Sequence, residues 1–222
     1  MKKAIKFITP YGFIFLYRII KKRKVEMSEG FAWAMTKNER KLFIKYIKGS
    51  KIYLEFGSGG STISSIKNKV TKIYSVESSK DWINAMKNRY NLINIAQNNN
   101  QLKYIYADIG PCGAWGMPLE KSDKMLNYSE KIFEKYNDVK FADVILIDGR
   151  FRVTCCLCAL KNVSDDTVIM IHDFWNRPYY HIIKKYVNIM DGVDSLMICK
   201  KKFDINFKEL ENDLKHYNYN AL

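Results

Sequence analysis

The sequence predicts an α/β fold: a doubly wound, mostly parallel sheet of seven strands with helices on both faces. Three observations carry this. Five short, nearly continuous apolar runs, at residues 52–56, 73–77, 103–107, 143–148 and 167–172, have the length and composition of strands buried on both faces. Helix-period patterns separate most of them, at 61–68, 80–91, 151–162 and 178–190. The first run ends in a glycine-rich turn, "EFGSGGST", that opens a helix pattern, and such a turn presents backbone N–H groups to a ligand at the carboxyl edge of the sheet.

Residues 1–25 form a basic, apolar N-terminal segment, and residues 26–222 read as a single domain with a polar C-terminal tail. The segment holds eight Lys and Arg and no acid. The net charge of +14 therefore leaves only +6 for the rest, so nucleic acid is not the expected partner of the domain. Lys6, Pro10, Gly12 and Arg18 break the run "AIKFITPYGFIFLYRIIKKRK" too often for it to span a bilayer. Its basic cluster follows the apolar part, the reverse of a signal peptide. Two readings stay open. It is a helix packed on the domain, or residues 1–24 lie on an anionic membrane surface with Phe13, Phe15, Leu16, Tyr17 and Ile20 in the lipid boundary.

Thr36 with Glu39 is a capping box that starts a helix, and Gly49 ends it. After the fifth strand, "VNIMDGVDSLMICKKK" reads as two short strands around a turn at Asp191-Gly192. The last twenty residues read as a polar, partly helical end. Five cysteines, three of them crowded at Cys155, Cys156 and Cys158 in an apolar segment, make no disulfide framework. They fit core packing in a reducing cytoplasm, with a peripheral place at the inner membrane face if residues 1–24 bind lipid.

Three of the chain's 11 glycines fall in four positions at Gly57, Gly59 and Gly60. A P-loop would need Gly-Lys-Ser/Thr at its end, a dinucleotide loop would need a glycine where Thr62 stands, and Phe56 breaks the frame of a nucleophile elbow around Ser58. Acids end four consecutive strands: Glu55, Glu77, Asp108 and Asp148. Glu77 lies 22 residues after Glu55, where an acid meets the two ribose hydroxyls of a nucleoside cofactor.

"EFGSGGS" resembles motif I of the class I S-adenosylmethionine-dependent methyltransferases, with Ser61 in place of the third glycine, and the resemblance covers residues 36–201. It implies a Rossmann-like fold with S-adenosylmethionine as cofactor. Gly57, Ser58 and Gly59 would line the methionine part, and Glu55 would fix the loop or the amino group. Ser61 and Thr62 would cap the following helix. Glu77 with Ser78 would take the ribose, and Asp108 with Ile109 the adenine. Asp148 would face the methyl donor.

The acceptor side falls in "LIDGRFR" and "MIHDFWNRP", with Asp148, His172 and Asp173 as catalytic candidates. Asp-Gly-Arg stands where base methyltransferases carry Asn/Asp-Pro-Pro-aromatic. The placement of Asp148 and Asp173 is similar to that of the acids that hold magnesium in catechol O-methyltransferase, but His172 and Phe174 flank the second acid. Either Mg2+ sits on Asp148 and Asp173, or His172, oriented by Asp173, is a general base near its ordinary pKa of about 6.5. Arg150, Arg152 and Arg177 are candidates for binding an acidic acceptor, and Trp115 and Tyr128 for covering it. "ITPYGFIFLYRIIKKRK", "LEFGSGGST" and "IDGRFR" also resemble small bacterial methyltransferase-like proteins of surface-polysaccharide synthesis, which implies O-methylation of a sugar or glycolipid hydroxyl. An RNA methyltransferase, and a non-catalytic nucleoside-binding or membrane-associated protein of the same fold, are the alternatives.

Overall fold

The computed structural model describes residues 33–113 and 116–221, and the fold is that of the unit Met35–Leu222. The segment 1–25, with both readings made of it, and Trp115 lie outside the described residues. Among the described residues no helix is long and apolar enough to cross a membrane.

Seven strands form one sheet in the order β3-β2-β1-β4-β5-β7-β6. They are β1 (Ile52–Phe56), β2 (Lys72–Glu77), β3 (Leu102–Tyr106), β4 (Val144–Ile147), β5 (Val168–Ile171), β6 (Val187–Val193) and β7 (Leu196–Lys201). The first five are parallel, and β7 joins β5 antiparallel with β6 outside it. Strand order reverses between β1 and β4, which places the ligand crevice between the loops that follow them.

Eight α-helices accompany the sheet among the described residues: α1 (Lys37–Ile47), α2 (Gly60–Lys67), α3 (Lys80–Arg89), α4 (Asn91–Asn98), α5 (Leu126–Ser129), α6 (Lys131–Lys135), α7 (Arg152–Asn162) and α8 (Phe207–Tyr217). Strand alternation sorts the two faces. Tyr53 of β1 meets Phe43 of α1, and Glu55 meets Ser61 and Thr62 of α2. Leu54 and Phe56 point the other way, and Phe56 packs on Tyr128 and Phe133 of α5 and α6. Both faces are therefore covered, which is why β1 and β4 read as nearly continuous apolar runs. Cys155, Cys156 and Cys158 are buried in α7, and all five cysteines are free.

Three expectations need correction. The helix of the run 80–91 ends at Arg89, because Tyr90 leaves the helical region at φ −127° and ψ 98°, and a second helix follows over Asn91–Asn98. The run 178–190 is a 3₁₀ helix over Pro178–Lys185 followed by β6. The buried residues of the helix and its cap, Tyr180, Ile183 and Tyr186, recur every third position, the period of a 3₁₀ rather than an α-helix. Asp191-Gly192 is inside β6, next to a bulge between Ile189 and Asp191, and the hairpin turns at Asp194-Ser195 instead. Asp194 takes the left-handed conformation (φ +51°), and Glu39 of α1 accepts from both the N–H (2.8 Å) and the hydroxyl (2.6 Å) of Ser195. A contact from across the chain thus holds the turn two residues beyond the Asp-Gly pair.

Candidate active site

The loop after β1 is built on Glu55. Its side chain is fully buried and accepts four side-chain hydroxyls: Tyr53 (3.0 Å) and Ser61 (2.6 Å) on Oε2, Ser75 (2.7 Å) and Thr62 on Oε1. Burial pushes this carboxyl up to about 7 even though all four hydroxyls favour its charged form. Thr62 in turn accepts the N–H of Gly59 (3.0 Å), so the start of α2 is pinned to the acid beneath it. Glu55, Ser61 and Thr62 therefore support the loop from below. The alternative in which Glu55 reaches a cofactor amino group is closed by its burial, and Ser61 and Thr62 (4% and 0% exposed) offer no side chain to the crevice.

Glu77 joins this loop to the end of β2. Its Oε2 accepts the N–H and the hydroxyl of Ser58 (both 3.2 Å), and its Oε1 accepts the N–H groups of Ser78 (2.8 Å) and Ser79 (3.0 Å). Trp82, which no sequence pattern singled out, donates its indole N–H to the Ser58 carbonyl (3.0 Å). Asp108 is half-exposed after β3; it accepts from Gly110 N–H (3.0 Å) and pairs with Lys124 (3.2 Å), and both hold its carboxyl below the usual range. Ile109 is a core residue, 1% exposed, so it can face a cofactor only with its backbone.

The two glycines differ in what they permit. Gly57 has φ +95°, and a Cβ there would lie 2.7 Å from the Cα of Gly149 in the loop after β4. A Cβ on Gly59 would meet nothing within 4 Å. Gly57→Ala is expected to cost about 1–3 kcal/mol of stability through backbone strain and the clash. Gly59→Ala should melt like the wild type in a thermal scan yet lose affinity for a ligand seated on the loop; unchanged affinity would show that no ligand approaches there.

On the other side of the crevice, Asp148, Arg152, His172 and Asp173 form one charge network with Glu39. His172 Nδ1 lies 2.8 Å from Asp148 Oδ1, and its Nε2 lies 3.3 Å from Glu39 Oε2. Burial alone would push the imidazolium down, but Asp148 and Glu39 carry it up to about 10. Burial likewise opposes the charge on Glu39, yet bonds from His172, Ser195 and the Thr36 N–H bring it to about 2. Arg152 is buried, 3% exposed, and donates to the carbonyls of Gly149 (3.1 Å), Asp148 (3.2 Å) and His172. Its Nη2 and Nη1 also reach Asp148 Oδ1 and Asp173 Oδ2, each at 3.2 Å. Arg177 bonds to Asp173 Oδ2 (2.8 Å) and to the Tyr180 hydroxyl (2.9 Å). Asp148 is one-fifth exposed, and among the described residues no group bonds its Oδ2.

These contacts revise four roles. His172 is not a base near its ordinary pKa, because each ring nitrogen faces a carboxylate and their charges raise its pKa to about 10. Arg152 is a buried strut, not a surface receptor for an acidic acceptor. Tyr128 does not cover the crevice; it is 1% exposed beneath Gly149, where a Cβ would stand 2.0 Å from its hydroxyl. Asp148, His172 and Asp173 each bring a ligand-type atom within 4.8 Å of the others, but the set does not fit a divalent cation. His172 Nδ1 is turned onto Asp148, and Arg152 and Arg177 together with His172 already neutralise the carboxylates. Glu39 is the member of this network that sequence reading missed. Its place in the capping box is real, with Thr36 N–H bonding its carboxylate at 2.7 Å and its own N–H bonding the Thr36 hydroxyl at 3.2 Å. Nothing local announced its second partner 133 residues away.

No protein-family model and no curated protein matches the chain. Among solved structures it is similar to a methyltransferase-like protein from Silicibacter pomeroyi, at 23% identity over 86% of this chain and 98% of that one, with a TM-score of 0.73. It also matches an O-methyltransferase from Bacillus cereus (16% identity, 89% and 94% covered, TM-score 0.49) and a ribosomal protein L11 methylase from Lactobacillus delbrueckii (10%, 76% and 80%, 0.49). The fold is that of the class I S-adenosylmethionine-dependent methyltransferases, as the glycine loop implied.

Proposed function

We propose that the protein is an S-adenosylmethionine-dependent O-methyltransferase acting on a hydroxyl of a small molecule, sugar or glycolipid, without a metal ion. The observation that carries this reading is the pairing of two features across the switch-point crevice. On one side is a glycine loop open at Gly59 and joined to Glu77, and on the other is an acid, Asp148, with one unbonded carboxylate oxygen. Gly57 to Gly59 and Glu77 fit the methionine and ribose parts of the cofactor, which supplies an already activated methyl group.

Asp148 is ionised. Burial opposes its charge, but the His172 imidazolium and Arg152 hold its carboxyl below the usual range. With Oδ1 fixed by those cations, Oδ2 accepts the acceptor hydroxyl's proton as the oxygen takes the methyl. The barrier falls mainly because the hydroxyl is held in line, so a weak carboxylate base is enough. The sugar or glycolipid nature of the acceptor, and a peripheral place on an anionic membrane through residues 1–24, rest on the sequence alone.

The experiment is calorimetric titration with S-adenosylhomocysteine. Glu77→Ala removes charged hydrogen bonds to two hydroxyls and should weaken binding by about 1.5–3 kcal/mol. Equal affinity in a folded variant would remove the cofactor assignment.

A further inference from the structure

The segments that follow β4 and β5 hold three arginines, Arg150, Arg152 at the start of α7, and Arg177, and they are not equivalent. Arg152 and Arg177 are bonded to Asp148 and Asp173 as described. Arg150, one turn position from Gly149, is only partly exposed, and among the described residues its guanidinium has no carboxylate partner. The like charges of Arg152 and Arg177 act on it unfavourably. The cluster as a whole holds four cations, namely Arg150, Arg152, Arg177 and the His172 imidazolium, against the three carboxylates of Glu39, Asp148 and Asp173. One positive charge is left over, and it is Arg150.

The turn that carries Arg150 is held at both ends. Gly149 is pressed against Gly57, and Phe151 is fully buried in the left-handed region at φ +53°, packed on Tyr128. A bulky residue persists in that conformation only where its surroundings fix it. A guanidinium kept half out of water beside two like charges is costly unless an anion comes to it, and its planar fork matches a phosphate or a carboxylate with two bonds.

We infer that the methyl acceptor carries an anionic group, a phosphate or a carboxylate, and that Arg150 is the residue that receives it; this rests on the methyltransferase reading of Asp148. Arg150 stands two residues from that acid, so the anionic group would lie close to the hydroxyl being methylated.

The test is calorimetry on the protein saturated with S-adenosylhomocysteine, titrated separately with inorganic phosphate, glucose 1-phosphate, glucuronate and neutral glucose. Phosphate and at least one acidic sugar should bind in the millimolar range, glucose 1-phosphate or glucuronate according to which group the acceptor carries, while glucose should not. Arg150→Gln should weaken anion binding at least about tenfold, the worth of one charge-assisted hydrogen bond, and leave S-adenosylhomocysteine affinity unchanged. Arg150→Lys, which keeps the charge without the fork, should fall between, and covers the case in which the Gln variant misfolds. The inference is overturned if no anion binds the wild type below about 10 mM, or if the variants bind anions as the wild type does. It is also overturned if Arg150→Gln weakens S-adenosylhomocysteine, which would assign the arginine to the cofactor. The cofactor step is read first, so a wild type that fails to bind S-adenosylhomocysteine refutes the methyltransferase reading before any anion is added.

Discussion

Glu39→Gln is expected to cost about 3–5 kcal/mol of folding stability, the scale for removing one partner of a buried ion pair. Glu39 is 1% exposed and takes bonds from four donors on three segments: the Thr36 N–H, the Ser195 N–H and hydroxyl, and His172. An amide of the same shape would turn a donor toward at least one of them, and the His172 imidazolium would lose a counter-charge. The loss should depend on pH. The folded His172 binds its proton more tightly than the unfolded chain does, its pKa rising from 6.5 to about 10. The stability carried by that proton is complete below about pH 6.5 and is lost as pH rises through about 10. In Glu39→Gln the imidazolium loses part of its support, so the alkaline fall should begin at lower pH. Urea denaturation of both proteins at pH 7 and pH 9 measures it. Equal stabilities would mean the buried carboxylate does nothing for His172.

Asp148→Asn should lower the methyl-transfer rate by about 10²–10⁴-fold, the usual contribution of a positioned general base, while S-adenosylhomocysteine still binds. The amide keeps the size of the side chain and can still accept from His172 Nδ1, so the network retains its geometry. What it loses is an anionic oxygen able to take a proton. The same assay run in excess chelator should leave the wild-type rate unchanged, because His172, Arg152 and Arg177 already balance the charge of the carboxylates that a metal would need. Full activity of Asp148→Asn would place the chemistry elsewhere, and a rate restored only by added magnesium would reverse the reading of the site.

The fold was legible because its signals are local. Apolar runs of five or six residues, a capping box and a glycine turn each state their own conformation. The glycine loop was legible for the same reason, since Glu55, Gly57, Gly59 and Glu77 lie at the ends of two adjacent strands. The orientation of Glu55 could also have been read: strand alternation puts it on the face of Tyr53, under α2, rather than in the crevice. The acceptor side was only half legible. "LIDGRFR" and "MIHDFWNRP" named residues that the structure gathers into one charge network, but which arginine is a strut and which has no carboxylate partner among the described residues depends on burial. That Arg152 is sealed between two loops and Arg150 is not cannot be read from charges two positions apart.

The contact between Gly57 and Gly149 has a thermodynamic consequence. The loop that would seat the cofactor and the loop that would seat the acceptor meet backbone to backbone, with a Cα only 2.7 Å from where a Cβ would stand. No side chain lies between them to absorb a displacement, so a shift of either loop on filling is felt directly by the other. Occupancy on the two sides is then not independent. By linkage, whatever factor the methyl donor applies to acceptor affinity, the acceptor returns to the donor.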